Sequence, residues 1–415
     1  MHLTALFVDF DAYFASAEQH LQPHLRGKAV GVAPILAETS CCIAASYEAK
    51  ARGIKTGTRV GDARKLCPGI EIVEARPACY VELHHRLVAA VESCIHVEAV
   101  LSIDEMWCWL PYNLREPRTT EKIARSIKRA VSEQVSPWIR ASVGVAPNRW
   151  LAKMASKMRK PDGLLVIEPH HLPDILYELD LRDMHGVGRA MELRLHAHGI
   201  HHSRQLCAAT RQQLHNAWGG IGGDQLWMQL RGQEIPDPAT ARRSIGHSHV
   251  LPPEKRQPDG ALPVLHKLTQ KAAQRLRSHG MLARSFQLSL QYLRGGKWDY
   301  ELMLEATDDS LTLARVAGQL WRQRPHHGES LLKVSMVLGR LTHAGNYTPS
   351  LFTDDGGPSI HLPPKNHQAL NESMDKLVRK FGRQSIYLGG AHNAIEAAPM
   401  RISFGHIPDL DMEGD

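Results

Sequence analysis

The stretch FVDFDAYFASAEQ, residues 7–19, constrains this chain more than any other part of it. An apolar run, Ala5-Leu6-Phe7-Val8, leads straight into Asp9 and Asp11, with aromatic residues around both. Two carboxylates at the end of a buried strand cost several kcal/mol unless something positive compensates them. A metal ion is the simplest compensation, and its remaining ligands must come from elsewhere in the sequence.

Around that motif the chain reads as mixed helix and strand. Residues 3–9 have the pattern of a buried strand, and Ala12 to His20 that of the helix after it. Lys28–Val32 reads as a short strand, and Ile43–Arg52 as a helix stopped by Gly53. Helices are expected over Tyr80–Ile95, Thr120–Gln134 and Pro147–Met158, with a long strand over Glu98–Leu110 and another over Arg140–Val145. No regular strand–helix–strand repeat emerges, so the expected class is α+β. From Asp174 to Leu230 the pattern is helical with short loops, and GQEIPDPATARR (232–243) then reads as a linker. Beyond it lies a βαββαβ pattern. Its strands are Ser244–Leu251, Ser285–Leu293, Tyr300–Glu305 and Leu331–Leu338, and its helices Leu262–His279 and Leu311–Gln323. Phe286, Leu288, Leu290 and Tyr292 alternate with Ser and Gln, which gives one buried and one polar strand face.

The 415 residues carry 50 Lys and Arg against 43 Asp and Glu, a formal charge of +7. That balance favours a polyanionic partner, either nucleic acid or an anionic membrane. The 7 cysteines are scattered without a CxxC pair, which argues against a zinc site or disulfide framework and for a reducing compartment. No apolar stretch has the length to span a bilayer and no signal-peptide pattern opens the chain, so a soluble, cytoplasmic protein is expected.

Candidate partners for Asp9 lie in VLSIDEMWCW, residues 100–109. On a regular strand Leu101, Ile103, Trp107 and Trp109 share one face, Glu105 falls among them, and Asp104 lies opposite. A local kink around a cation accounts for the charge in this apolar row; an ordinary strand end with solvated acids is the alternative. Hard carboxylate oxygens suit Mg²⁺, which keeps positions open for water and substrate phosphates. Two such ions about 4 Å apart activate an attacking oxygen and neutralise a leaving pyrophosphate. SYEAKARGIKTG (46–57) offers a basic element for a triphosphate, with Tyr47 and Lys50 three apart on one helix face and Arg52 near them. Its alternative is a solvated, charged helix.

Taken together, VDFDAYFASAEQ, LRGKAVGV (25–32), ASYEAKARGIKTG, SIDE (102–105) and SVGVAPNRWLAKMASKMRKPDGL (142–164) resemble, in order and spacing, the motifs of the Y-family translesion DNA polymerases. The resemblance covers most of the chain and is to the bacterial polymerase IV and polymerase V catalytic-subunit types. It implies a right-hand polymerase: a ferredoxin-like palm (1–18 and 76–165), small fingers (19–75), a helical helix-hairpin-helix thumb (166–231), the linker 232–243, a βαββαβ little finger (244–345) and a C-terminal tail (346–415). It also implies that Asp9, Asp104 and Glu105 are the catalytic, metal-binding carboxylates, with the Phe10 carbonyl as a backbone ligand and two Mg²⁺ ions as cofactors. Asp11 belongs to the motif without being a main ligand. Phe14 matches the steric gate, a ring beneath the incoming sugar that collides with a 2′-hydroxyl; plain core is its alternative. Tyr13, Tyr47, Lys50 and Lys160 match nucleotide-binding positions. Position 50 is more usually Arg, so a bidentate fork becomes a point charge here. Ala44 lies where some members carry a phosphate-binding hydroxyl.

MHGVGRAMELRLHAHGI (184–200) resembles a helix-hairpin-helix, in which Gly186 and Gly188 let backbone amides approach a DNA phosphate. His196, His198, His201 and His202 cluster nearby, but no acid or Cys joins them, so exposed histidines beside DNA are expected rather than a metal site. Arg242, Arg243 and the polar strand face are expected to track template phosphates with little base specificity. YTPSLFTDD (347–355) resembles the sliding-clamp peptide of bacterial polymerases, with Leu351 and Phe352 as the anchor and Thr348 in place of the usual Gln. Capping of the little finger is the alternative for that pair. The tail MDKLVRKFGRQSIYLGG (374–390) is more like the polymerase V branch, whereas the N-terminal motifs also fit polymerase IV.

The implied function is low-fidelity, template-directed DNA synthesis past damaged bases. The implied partners are primer-template DNA, dNTPs and a sliding clamp, for a monomer that binds no membrane. A non-catalytic, polymerase-shaped adaptor is the alternative, although such relatives lose the carboxylates retained here. A nucleotide cyclase with a palm-like fold is a third reading, disfavoured by the helix-hairpin-helix and the extra C-terminal module.

Overall fold

The structure, a computed structural model, describes residues 2–236, 242–347, 367–382, 385–398 and 407. The chain divides into two compact units, Met1–Asp237 with Ile402–Ile407, and Pro238–Arg401 with Pro408–Asp415.

In the first unit β1 (Ala5–Phe10) is followed by α1 (Tyr13–Leu21), β2 (Val30–Ala33), β3 (Ala44–Ala45), α2 (Tyr47–Lys50), α3 (Val60–Leu66), β4 (Glu71–Glu74) and α4 (Pro77–Glu92). Then come β5 (Ala99–Val100), β6 (Glu105–Trp109), α5 (Pro117–Ala130), β7 (Ala141–Ala146), α6 (Arg149–Met158) and β8 (Leu164–Val166). One sheet has the order β5-β6-β1-β7-β8, and a smaller one the order β3-β2-β4. β1 is central in the larger sheet and every residue of it is buried, which is why its sequence is a continuous apolar run without alternation. It pairs antiparallel with β6 and β7, so that Asp9 stands opposite both Glu105 and Ser142. Helix α6 lies against β7 at Gly144, where a Cβ would come within 2.1 Å of the Ala152 carbonyl oxygen. Asn148 starts that helix, its side chain accepting from Leu151 N at 2.7 Å. The helical remainder holds α7 (Arg189–Ala197), α8 (Ser203–Ala208), α9 (Arg211–Trp218) and α10 (Ile221–Gln229). Leu195, Leu206, Leu214 and Leu226 share one core with Trp150, Leu151 and Met154 of α6.

Two expectations for this unit need correction. Residues 43–52 do not form one helix: Ala44 and Ala45 pair with β2, and Ser46 then caps the single turn α2 by accepting from Ala49 N. Sheet pairing of two small residues outweighs local helix propensity there. Nor is Glu98–Leu110 one long strand. It folds back on itself as a tight hairpin, with Leu101 N and Ser102 N both donating to the Glu105 carbonyl and β5 pairing with β6. The buried face of β6 is Met106 and Cys108; Glu105, Trp107 and Trp109 form the more open row, with Trp109 37% exposed. Arg149 and Arg115 lie over the Trp107 and Trp109 rings, which covers part of that aromatic surface.

The second unit runs β9 (Ser244–Val250), α11 (Pro258–Ser278), β10 (Met281–Tyr292), β11 (Lys297–Thr307), α12 (Ser310–Gln323), β12 (Leu331–Gly339), β13 (Thr342–His343) and α13 (Gln368–Phe381). The order β11-β10-β12-β9 is antiparallel throughout. Phe286, Leu288 and Leu290 are buried in a core with Val264, Leu268 and Leu313 from α11 and α12. On the other face Gln287, Ser289, Gln291, Lys333 and Ser335 line an open polar groove of about 290 Å³. Among the described residues no helix is long and apolar enough to cross a membrane.

Candidate active site

The turn from β1 into α1 passes through Ala12, held in the left-handed region at φ 47, a conformation that disfavours large side chains. That turn leaves the side chains of Asp9 and Asp11 almost fully buried at the strand end. The hairpin at 101–104 meets it: Phe10 N donates to the Asp104 carbonyl at 2.9 Å, and Ser102 Oγ donates to Asp104 Oδ1 at 2.6 Å. The buried His84 of α4 bonds through Nδ1 to the Ile103 carbonyl at 2.8 Å, fixing the hairpin from behind. Sheet pairing therefore brings Asp9, Asp104 and Glu105 to one place, although the first two are 95 positions apart in the sequence.

The electrostatics of this trio are unfavourable for the bare protein. Burial, opposed by Lys160 and reinforced by Asp104 and Glu105, pushes the Asp9 carboxyl up to about 6. Burial likewise raises Asp104, against the hydrogen bond from Ser102. Two amines supply the compensation: Lys160 bonds Asp9, and Lys153 of α6 bonds Glu105 at 2.8 Å. Among the described residues the one set of His, Asp or Glu groups whose ligand atoms all lie within 4.8 Å of one another is Glu168, His170 and His171, a half-exposed turn after β8. Asp9, Asp104 and Glu105 are not gathered that closely, consistent with Lys160 and Lys153 each engaging one of them. Their donor set nevertheless fits a hard dication: three carboxylates, mutually repelling and partly desolvated, with oxygen ligands only.

Asp11 is engaged otherwise. Ser142 Oγ lies 2.9 Å from both its oxygens and shares its one proton between them, and Asp162 N donates to Oδ2 at 2.7 Å. Those bonds tie both its oxygens to the protein, whereas Asp9 bonds the Lys160 ammonium. Tyr47 donates to Asp11 Oδ1 at 3.4 Å, and the Lys50 ammonium sits 4.2 Å above the Tyr47 ring. Tyr47, Lys50 and Lys160 thus converge on the carboxylates although two come from α2 and one from the loop before β8. Phe14 is 5% exposed and stacks on Tyr80 at 5.0 Å. The Tyr13 hydroxyl donates its proton to the Tyr80 carbonyl at 2.5 Å.

Beside Glu105 opens a cleft of about 500 Å³, lined among others by Arg149, Lys153, His185, Gly186 and Trp218. The turn glycine Gly186 (φ 93) therefore lies in the same cleft as a candidate catalytic carboxylate, while Gly188 begins α7. Burial, then Lys153 and Lys157, push the His185 imidazole down to about 4. Lys153, Lys157, His185 and Ser142 are site residues that motif reading passed over. Their helical spacing in α6, Lys153 and Lys157 one turn apart and Lys160 just beyond, was the available signal. Ring stacking of His196 on His201 at 5.0 Å is the contact made within the histidine cluster. Arg242 and Arg243 are exposed in the second unit, Arg242 bonded to His279. Leu351 and Phe352 lie outside the described residues.

Residues 8–157 match the family model described as the impB/mucB/samB family, and residues 242–351 match that of its C-terminal domain. DNA polymerase IV of Moorella thermoacetica is 35% identical over 296 residues, covering 69% of this chain and 72% of that protein. DNA polymerase IV 1 of Bacillus subtilis is 30% identical over 415 residues, covering 96% and 95%. Among solved structures, a Y-family DNA polymerase chimera of Dbh and Dpo4 shares the fold with a TM-score of 0.68 at 24% identity, covering 81% of this chain and 98% of that one. DinB from Sulfolobus solfataricus does so with a TM-score of 0.53 at 24% identity and the same coverage. The right-hand α+β fold, the full-length match to a bacterial polymerase IV and the carboxylates at the β1 end agree: this chain belongs to the Y family of DNA polymerases.

Proposed function

We propose that this protein extends a DNA primer on a template by nucleotidyl transfer, with Asp9, Asp104 and Glu105 as the catalytic carboxylates. It is a DNA-directed DNA polymerase of the translesion class. The observation that carries the site assignment is the meeting of these three acids at the end of β1, with Lys160 and Lys153 as the cations that face them. In this reading residues 1–18 and 76–165 are the palm, 19–75 the fingers, 166–231 the thumb, 232–243 the linker, 244–345 the little finger and 346–415 the tail.

A divalent cation serves the activity, and the all-oxygen donor set favours two Mg²⁺ held by Asp9, Asp104, Glu105 and the Phe10 carbonyl. When bound, the ions supply activation of the primer 3′-hydroxyl and neutralisation of the pyrophosphate. The protein's own groups do the rest. Lys160, which bonds Asp9, supplies a positive charge to the triphosphate. Tyr47 and Lys50, already stacked, present a hydroxyl and a charge to the same triphosphate. Phe14 lies under the sugar and Tyr13 packs beside it. Gly186, Gly188, Arg242, Arg243 and the polar groove of the second unit hold DNA through its phosphates. Leu351 and Phe352 dock on a sliding clamp, and the enzyme works as a cytoplasmic, nucleoid-associated monomer.

The test is extension of a labelled primer on undamaged template with Mg²⁺ and four dNTPs. The native chain is expected to extend it, and the double variant Asp104→Ala, Glu105→Ala to lose at least about 10³-fold in rate, some 4 kcal/mol of barrier. DNA binding without extension by the native chain overturns the reading in favour of the adaptor.

A further inference from the structure

Glu18 is the least exposed acid of the molecule's first unit, at 0%, and none of the chemistry above uses it. Such a carboxylate is tolerated only when its lone pairs are filled. Arg76 reaches it with two guanidinium nitrogens, Nε at 3.0 Å, and Gln22 Nε2 donates at 2.6 Å. The remaining donor is the Tyr80 hydroxyl, 2.7 Å from Oε1. Tyr80 is the residue whose ring stacks on Phe14, at 5.0 Å and 29°.

Phe14 and Glu18 are four positions apart on α1, hence on one face and about 6 Å apart along the axis. Tyr80, projecting from α4, therefore lies along one turn of α1, its ring against Phe14 and its hydroxyl pinned to Glu18. We infer that Glu18, held by Arg76 and acting through Tyr80, is the positioning residue that sets the Phe14 ring and so the sugar selectivity of the enzyme. The inference rests on the assignment of Phe14 as the sugar gate. A gate rejects a 2′-hydroxyl only if its ring cannot yield. Stacking alone lets two rings slide, because dispersion is non-directional, whereas a hydrogen bond at the far end of Tyr80 fixes its position along α1. The Tyr13 hydroxyl on the Tyr80 backbone carbonyl closes the arrangement from the other side.

The experiment measures kcat and KM for insertion of a dNTP and the matching NTP by the native enzyme, Phe14→Ala, Tyr80→Phe and Glu18→Gln. Tyr80→Phe keeps the stacked ring and leaves Glu18 with Arg76 and Gln22, so it decides the matter even if Glu18→Gln does not fold. The expected result is a dNTP-over-NTP ratio of kcat/KM lowered about tenfold or more by Tyr80→Phe, through a lower KM for the NTP, with kcat for the dNTP within about threefold of native. Glu18→Gln is expected to act alike, and the double variant no worse than either single one. Should Phe14→Ala abolish selectivity while Tyr80→Phe leaves it at the native ratio, the inference is overturned and the gate assignment stands. An equal loss for both nucleotides in Tyr80→Phe also overturns it, since that reports a merely structural role. If Phe14→Ala itself leaves the ratio unchanged, the gate assignment is wrong and the inference falls with it.

Discussion

Lys160 bonds Asp9 and lies 3.6 Å from Asp11 Oδ1, so its ammonium stands where charge of the opposite sign to the trio is most needed. On the proposed function, removing it takes a charge-assisted contact from the triphosphate, a loss of ~1.5–3 kcal/mol. Lys160→Ala is thus expected to lower kcat/KM for dNTP insertion by about 10- to 100-fold, at that energy per contact; steady-state primer extension checks it. Asp9, Asp104 and Glu105 stood out as a candidate set because each sits in an apolar context where an uncompensated charge is costly. Asp11 was not separable from Asp9 by alternation. Their difference arises from Ser142 and Asp162, partners more than 130 positions away in sequence. Lys153 was missed for a related reason: on a helix whose charged residues, Arg149, Lys153 and Lys157, are all basic, spacing alone does not say which one meets a carboxylate.

At the scale of the element, the packing of α6 on β7 decides how Lys153 reaches the site. Gly144→Ala would place a Cβ 2.1 Å from the Ala152 carbonyl oxygen and 2.4 Å from Ser156 N, both backbone atoms that cannot step aside. Overpacking of that kind costs roughly 1–3 kcal/mol or more, so urea unfolding is expected to show at least that loss, with loss of extension activity. A native urea midpoint in Gly144→Ala would contradict this packing. Asn148→Ala removes the α6 cap and two bonds from its Nδ2, to the Gln229 and Gln233 carbonyls at 2.8 and 3.0 Å. The expected destabilisation is about 3 kcal/mol, from a cap worth ~1 and two bonds of similar worth. Most elements could be read from periodicity, as with β10, whose alternation of apolar and polar residues matches its burial. The exceptions were elements whose state is set by pairing. Ala44 and Ala45 carry no strand signal of their own, and the hairpin at 101–104 exists because β5 finds an edge of β6.

At the scale of the whole molecule, charge and acid stability are the measurable quantities. Phosphate neutralisation by several basic groups implies that log Kobs for DNA falls linearly with log salt, by about 0.9 per contact on duplex. Arg242→Ala, Arg243→Ala together are expected to flatten that slope by up to about 2; an unchanged slope would remove both arginines from the DNA contact. In the second unit Asp309 caps α12 and joins it to α13. Burial raises its carboxyl, but hydrogen bonds from Thr312, Asn371 and His367 outweigh this and hold it down to about 2, below its ordinary 3.8. A depressed folded value stabilises above the unfolded value and is lost as pH falls through the folded one. The stability difference between native protein and Asp309→Ala is therefore expected to be full above pH 4 and to shrink as pH falls towards 2, read by urea unfolding across that range. By itself the sequence determined the family and the α+β class and marked a set of candidate acids, because those follow from motif order and spacing and from the cost of burying unpaired charge. Only the tertiary structure decided which lysine faces which acid, that Ser142 and Asp162 bond Asp11, that the 98–110 segment is a hairpin, and that Tyr80 bonds Glu18 while its ring stacks on Phe14. Each of these depends on contacts between residues far apart in the chain, and no local pattern encodes the partner of a buried polar group.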